Sequence, residues 1–382
     1  MANILIFSAN YLPNVGGIER FTYYNARYLL QEGHQVTIVT NNLFDLPDHE
    51  INEGIEIYRF PCYPLLNGRY PIKKPGKRTR AIQKDLNARH FDFVMINARF
   101  YLHSIYGAKF AAKRHIPVIT VEHGSSHMSV NNRLLDTLGG WFEHWQTAIL
   151  KRYCKDYYGV SQECCRWSGH FGIVSKGVIY NAVELPEIQR LAEHPCVSFR
   201  EKLGMEPDAP VILFAGRLIR EKGIYELIQA VRELNFPKLT LWIAGDGPEK
   251  ESIAAQADQQ VRYLGKLCFE EVIAALKETD IYCLPSQFPE GLPTGVLEAA
   301  AMGVYVITTQ AGGAKELITG REYGCILKDR SVGPLKDAIL WALENPQERT
   351  AAAQACRERL KESFTFDKTA QRILQIMRDM QQ

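Results

Sequence analysis

The sequence predicts an α/β protein built from two doubly wound domains, on three observations. Short apolar runs recur along the chain, longer stretches of helical pattern separate them, and the alternation restarts after a polar, proline-bearing segment near residues 185–210. Strands alternating with helices imply βαβ units and a parallel sheet. At 382 residues the chain also exceeds one ordinary core, so two domains of roughly 150–200 residues are expected.

In the first half the apolar runs are Ile4–Phe7, Val36–Thr40, Ile55–Phe60, Phe93–Ile96, Val118–Val121 and Tyr157–Val160. Gly33-His34 reads as a helix stop followed directly by a strand. In the second half the runs are Val211–Ala215, Leu239–Ala244, Val261–Leu264, Ile281–Leu284 and Val304–Thr308. The domains are placed at 1–185 and 186–363. Two such sheets bind ligand best in the cleft between them, at the carboxyl ends of the strands. The closing segment FDKTAQRILQIMRDM sets Ala370, Ile373, Leu374 and Met377 on one helical face.

Composition excludes several classes. An apolar fraction of 46% with 23% charged residues is that of a soluble globular protein, and a net charge of +2 gives no strong pull toward nucleic acid. No run approaches the 18 or so apolar residues of a membrane span, and ILIFSA lacks the charged flank and length of a signal peptide. Nine cysteines, with no CxxC pair and no Cys/His cluster at zinc spacing, point to reduced thiols in a cytosolic protein.

Three stretches of the second half carry chemistry. In LFAGRLIREKG a strand ends at Gly216, and Arg217 and Lys222 follow in the next loop. Two cations there suit a diphosphate, and they equally read as solvated charges. IAGDGPEKE holds a Gly-Asp-Gly-Pro turn, with glycine for unusual φ and proline for a helix start, and reads mainly as structure. PEGLPTGVLEAAAMG sets Glu290 in a loop and Glu298 within the helix that follows. Thr294 or Gly295 is expected to cap that helix, aiming backbone amides at an anion. Sugar hydroxyls would be suitable donors to both carboxylates.

Together these stretches resemble the carboxyl-terminal half of retaining glycosyltransferases of family 4, which have the GT-B fold of two Rossmann-like domains facing across a cleft. The G-R-L-x-x-x-K-G segment falls on Gly216, Arg217, Leu218, Lys222 and Gly223, and the G-[DE]-G-P turn on Gly245 to Pro248. The E-x7-E motif falls on Glu290 and Glu298. The resemblance spans the chain and implies that the terminal helix, 364–382, crosses back onto the first domain. It implies donor diphosphate contacts from Arg217 and Lys222, a ribose contact from Glu298, and a contact from Glu290 to the transferred sugar. Gly216, Gly291, Leu292 and Thr294 complete the expected donor site. Two departures stand out. The family's E-G-F-G is here E-G-L-P-T, so Pro293 lacks an N–H that could cradle phosphate, with Thr294 as the replacement. Its N-G-[VI]-D is here NAVE at 181–184.

The first half offers PNVGGIERF, where Gly16-Gly17 ahead of a helix permits close backbone approach to a ligand. It is not a dinucleotide fingerprint. VEHG ends a strand with His123, a lone histidine that also reads as structural. By resemblance Gly16 and Gly17 lie beside donor phosphate and acceptor, and His123 near the reacting sugar. The implied reaction is metal-independent transfer from a nucleotide diphosphate-sugar, UDP-sugar preferred, with no cofactor. No D-x-D motif is present to hold a metal on the diphosphate. The leaving phosphate would take the acceptor's proton in a front-face step, with the domains closing over the site.

The acceptor side is marked by residues 69–89, with eight basic residues and one acid. They read either as a solvated face or as attraction to an anionic membrane surface. Leu134, Leu138, Trp141, Trp145 and Ile149 form an apolar stripe at helical spacing. It reads first as core packing and second as lipid or acceptor contact. A lipid-linked bacterial glycan is the preferred acceptor, on the inner face of the cytoplasmic membrane. A sugar-nucleotide epimerase and a non-catalytic nucleotide-sugar-binding subunit are the alternatives.

Overall fold

The computed structural model describes residues 1–14, 16–128 and 132–381, with the Arg133 side chain excepted. The chain forms two units, Met1–Asn181 with Phe366–Gln382, and Ala182–Thr365.

The first unit carries β1 (Asn3–Ser8), β2 (Gln35–Asn42), β3 (His49–Asn52), β4 (Ile55–Leu65), β5 (Tyr70–Lys73), β6 (Phe93–Asn97), β7 (Val118–Glu122), β8 (Asp156–Gly159) and β9 (Gly177–Val178). Their order is β3-β4-β2-β1-β6-β7-β8-β9, with β5 on β4. β1, β2, β4, β6, β7, β8 and β9 pair in parallel, whereas β3 and β5 pair with β4 antiparallel. Six of these parallel strands, β1, β2, β4, β6, β7 and β8, contain the apolar runs of the sequence, because a sheet covered on both faces buries most positions. The two-residue β9 is only half-buried and carries no such run. Phe7, Phe60, Val94 and Ile96 are wholly buried here, each worth about 1.5–3 kcal/mol of transfer free energy.

Five helices of this unit are α1 (Gly17–Gln31), α2 (Lys77–Ala88), α3 (Leu102–Ala112), α4 (Arg133–Leu150) and α5 (Gln162–Gly169). α1 stops at Gly33, whose φ of +84° closes the helix and turns the chain into β2. The C-terminal helix, Phe366–Gln381, buries Ala370, Ile373, Leu374 and Met377 as the periodicity requires. It packs on α1, with Phe366 stacked on Tyr24 at 4.8 Å.

α4 departs from expectation. Leu134, Leu138, Trp141 and Trp145 are 69, 57, 76 and 54% exposed, and Ile149 is half-buried, so most of the stripe is surface rather than core. The inward face of the helix is polar instead: Glu143, Gln146 and Thr147 are buried. Arg99, also buried, explains the choice, since it bonds Thr147 at 2.8 Å and Glu143 at 2.5 Å. A buried guanidinium must be satisfied, and α4 turns toward it the face that can do so.

The second unit is a six-stranded parallel sheet, β12-β11-β10-β13-β14-β15. Its strands are β10 (Val211–Ala215), β11 (Thr240–Ala244), β12 (Val261–Gly265), β13 (Ile281–Leu284), β14 (Tyr305–Thr309) and β15 (Cys325–Leu327). The segment read as a connector is partly helical: Leu185–Glu193 forms a helix with Pro186 in its first turn and Ile188 and Leu191 buried. All nine cysteines are free thiols. Among the described residues no helix is long and apolar enough to cross a membrane.

Candidate functional site

In the second unit the loops after β10, β13 and β14, adjacent strands of the sheet, meet at their carboxyl ends, where an open α/β sheet binds ligand. From β10 the chain runs through Gly216 and Arg217 into a short 3-10 turn, Arg220–Lys222. Gly223, at φ +75°, then starts the helix Ile224–Leu234. Glycine is required there, because a Cβ would come within 3.1 Å of the Pro285 carbonyl carbon.

Lys222 Nζ donates to Glu290 Oε1 at 2.5 Å, and the Ser286 hydroxyl donates to the same oxygen at 3.1 Å. The Lys222 and Glu290 side chains are only 11 and 16% exposed. Backbone bonds hold this arrangement: Gln287 N–H reaches the Glu221 carbonyl at 2.7 Å, and Gly313 N–H the Gly291 carbonyl at 2.8 Å. The Thr309 hydroxyl bonds the Ser286 carbonyl. Gly312, at φ +74°, lies so close to Glu290 that a Cβ would sit 3.1 Å from its carbonyl carbon.

The following helix, Thr294–Ala301, has Pro293 as its N-cap, at φ −64°. This corrects the expected cap at Thr294 or Gly295: the φ fixed by proline serves the entry, and no side chain takes up the first amides. Among the described residues nothing accepts from the N–H groups of Thr294, Gly295 or Val296. Three donors at a positive helix end therefore remain for an anion. Glu298 lies buried within this helix, beyond its first turn. Leu292 is also buried. Under Gly295 lies Tyr282, whose hydroxyl donates to the Ala215 carbonyl at 3.0 Å. Burial, then the Glu298 and Glu290 carboxylates, drive its pKa well above the ordinary value.

Arg217 is exposed and has no side-chain partner among the described residues. The Gly-Asp-Gly-Pro turn braces the loop that carries it. Leu218 N–H bonds the Asp246 carbonyl at 2.9 Å, and Glu249 N–H the Leu218 carbonyl at 3.2 Å. A Cβ on Gly247 would sit 2.8 Å from Leu218 N. The turn is thus structural support.

In the first unit Gly16 is the N-cap of α1 and Gly17 its first residue. A Cβ on Gly16 would lie 2.6 Å from Glu19 Oε2, whereas Gly17 has open space around it. Asn14 Nδ2 donates to Glu19 Oε1 at 2.7 Å, and burial raises the Glu19 pKa.

His123 follows β7 and sits edge-on to Phe21 at 4.8 Å. Its Nε2 lies 3.3 Å from Asn97 Oδ1. Asn97 Nδ2 donates to the Thr22 hydroxyl at 2.7 Å, and that hydroxyl donates to the Ile18 carbonyl at 2.8 Å. Asn97 Oδ1 can therefore only accept, so His123 carries its proton on Nε2 and a lone pair on Nδ1. Burial holds its pKa down to about 3, which keeps the ring neutral. Glu122 accepts the N–H groups of His123 and Gly124, both at 3.0 Å, and pairs with Arg99 at 2.7 Å. Asn97, Glu122, Glu19 and Ser286 are the supporting residues that the sequence did not single out. Asn97 and Glu122 end the neighbouring strands β6 and β7, so strand pairing and not sequence spacing sets Asn97 beside His123.

The family model described as Glycosyltransferase Family 4 matches residues 15–186, and that described as Glycosyl transferases group 1 matches residues 198–359. The uncharacterized glycosyltransferase MJ1069 of Methanocaldococcus jannaschii is 24% identical over 382 residues, covering 96% of this chain and 95% of that one. TuaC of Bacillus subtilis, a glycosyltransferase assigned to teichuronic acid biosynthesis, is 28% identical over 305 residues, or 77% of this chain and 72% of that one. The crystal structure of HepE from Anabaena in complex with UDP-glucose superposes with a TM-score of 0.74 at 17% identity, covering 99% of this chain and 100% of that one. With a family model on each half and two parallel-sheet α/β units, the chain belongs to the GT-B glycosyltransferases, its amino-terminal half to family 4 and its carboxyl-terminal half to group 1.

Proposed function

We propose that this glycosyltransferase moves a hexose from a nucleotide diphosphate-sugar, a UDP-sugar by preference, to a hydroxyl of a lipid-linked glycan, with retention of configuration. The observation that carries the donor reading is the juxtaposition of Lys222 with Glu290 ahead of a helix that offers three uncommitted amides. Lys222, Arg217 and those amides would take up the charge of the leaving diphosphate without a metal, a preorganised electrostatic contribution. Glu298 would hold the ribose and Glu290 the sugar hydroxyls. Neutral His123 would offer Nδ1 to a sugar hydroxyl. UDP-glucose bound to HepE supports the choice of donor.

The acceptor reading rests on the surface of the first unit and on the assigned role of TuaC. Leu138, Trp141, Phe142 and Trp145 are exposed on α4, and Tyr63, Leu65 and Leu66 on the β4–β5 hairpin. Tyr70 at the base of that hairpin meets Phe142 at 6.2 Å. An apolar surface of this kind fits an acyl or polyprenyl chain. Arg69, Lys74, Lys77, Arg80 and Lys84 are exposed in the basic segment, available to an anionic headgroup.

A thermal-shift panel of nucleoside diphosphates and nucleotide-sugars tests the donor assignment. One nucleotide should stabilise the protein strongly, and Glu298→Ala and Arg217→Ala should both lose that shift. If none shifts the wild type while both variants fold normally, the donor site is wrongly placed. Conversion of the donor with no acceptor present would instead favour epimerase chemistry.

A further inference from the structure

Apart from the donor residues, the first unit gathers three histidines from separate elements: His127 in the loop after β7, His144 on α4, and His170 closing α5. Each offers a ring nitrogen, and the three nitrogens lie within 4.8 Å of one another. His144 Nε2 and His170 Nε2 are 3.1 Å apart. A tetrahedral Zn²⁺ with Zn–N bonds of about 2.0–2.1 Å needs its nitrogens about 3.4 Å apart. Two of the three are thus near ligating separation, and the third lies within 4.8 Å of both.

The third histidine is oriented for the purpose. His127 Nδ1 donates to Glu143 Oε2 at 2.5 Å, which fixes the tautomer and leaves the Nε2 lone pair as the ligand. Metal-binding histidines characteristically give their other N–H to a carboxylate in this way. Glu143 is itself buried and held by Arg99. Behind the cluster the Arg99 guanidinium is paired with both Glu122 and Glu143. Two imidazole nitrogens facing each other at 3.1 Å also need something between them, either one shared proton or a common cation. Stacking of His170 on Trp167 at 4.8 Å and 7° fixes the plane of the last ring.

We propose that His127, His144 and His170 bind one divalent first-row transition metal, Zn²⁺ or a close relative, with a fourth position open to water. The chemistry of the donor set, three imidazoles without thiolate or coordinating carboxylate, selects such metals over Mg²⁺ or Ca²⁺. The site pins the loop bearing His123, four residues before His127 in the chain, to α4 and α5. It stands independently of the glycosyl-transfer reading, which places no metal on the donor diphosphate.

The test uses full-length, tag-free protein stripped with a chelator, titrated with Co²⁺ and then Zn²⁺. One equivalent of Co²⁺ should produce the intense visible absorption of a four-coordinate site, and one equivalent of Zn²⁺ should abolish it and raise Tm. His144→Ala and His170→Ala, at exposed positions, should fold with unchanged apo Tm and lose both signals. His194→Ala should keep them. Glu143→Gln, compared at its own apo Tm, should bind about 10–100-fold more weakly. Absence of stoichiometric Co²⁺ absorption, or its retention in His144→Ala and His170→Ala, overturns the site.

Discussion

Lys222 Nζ lies 2.5 Å from Glu290 Oε1 and joins two loops separated by 68 residues of sequence. The two side chains are largely enclosed, and in the proposed reaction they would have different duties. In the proposed reaction Lys222 transfers its charge to the diphosphate, and Glu290 is released to the sugar. Lys222→Ala should weaken UDP binding and lower kcat/KM for transfer by roughly 10²–10³-fold, as for loss of one preorganised donor. Glu290→Gln keeps the Ser286 contact, so it should bind UDP nearly as well as wild type while turnover falls. Calorimetry with UDP beside steady-state kinetics separates the two. Equal loss of UDP binding in both variants would rule out the division of roles.

Gly295 and Tyr282 make a second pair. A Cβ on Gly295 would press on the Tyr282 hydroxyl, with the ring carbon Cζ only 3.2 Å away. Both residues are packed, so Gly295→Ala should cost about 1–3 kcal/mol of stability in urea unfolding. Tyr282→Phe removes the obstructing oxygen and sacrifices its bond to Ala215. The double variant should therefore be more stable than the sum of the two singles predicts. Strict additivity would show that the clash is relieved elsewhere.

How much was legible in the sequence follows from what each residue depends on. Most parallel strands were readable because burial on both faces leaves continuous apolar runs, as in β1 and β10, whereas the short, half-buried edge strands β9 and β15 left none. The edge strand β3 was not readable, since His49–Asn52 is largely exposed and its pairing with β4 is set by the turn. In Leu185–Glu193 charged residues hid the Ile188 and Leu191 spacing. Arg217, Lys222, Glu290 and Glu298 could be singled out as candidates because they fall within compact motifs. The hold on Glu290 by Ser286 of its own loop, and by Thr309 at the end of β14 and Gly312 in the loop after it, runs through backbone and hydroxyl groups, which leave little pattern. The stripe on α4 misled for a related reason. Helical spacing reports an apolar face but not its direction, and buried Arg99 decided that direction.

His103 sets a pH dependence. It is enclosed in the first unit, with Nε2 2.9 Å from the Val39 carbonyl, and burial lowers its pKa to about 4. The unfolded chain would protonate it near 6.5, so between these values the unfolded state binds more protons and stability falls as pH falls. The contribution is fully present above about pH 6.5. It is lost by about 1.4 kcal/mol per pH unit toward pH 4. Buried His123 adds to the same dependence, so denaturant melts from pH 7 to 4.5 should give His103→Gln a slope shallower than wild type by about that amount, whatever its effect on stability at pH 7. An unchanged slope would assign the acid sensitivity to other groups.

The outward face of α4 gives the last prediction. Trp141 and Trp145 project from a helix whose inward side is fully engaged by Arg99 and Tyr70, and Trp145 is already stacked on Phe142 at 5.6 Å. Replacing both tryptophans with serine removes no core contact, so the unfolding free energy should stay within about 0.5 kcal/mol of wild type. If the face receives the lipid part of the acceptor, the same variant should lose sedimentation with anionic vesicles. It should also fail to glycosylate a lipid-linked acceptor while binding UDP normally. Arg80→Glu and Lys84→Glu should weaken vesicle binding further, by about 1 kcal/mol per charge removed, and more salt should mimic them. Unfolding of the double serine variant would instead return the stripe to the core. Undiminished vesicle binding in a folded variant would move the lipid contact to another surface.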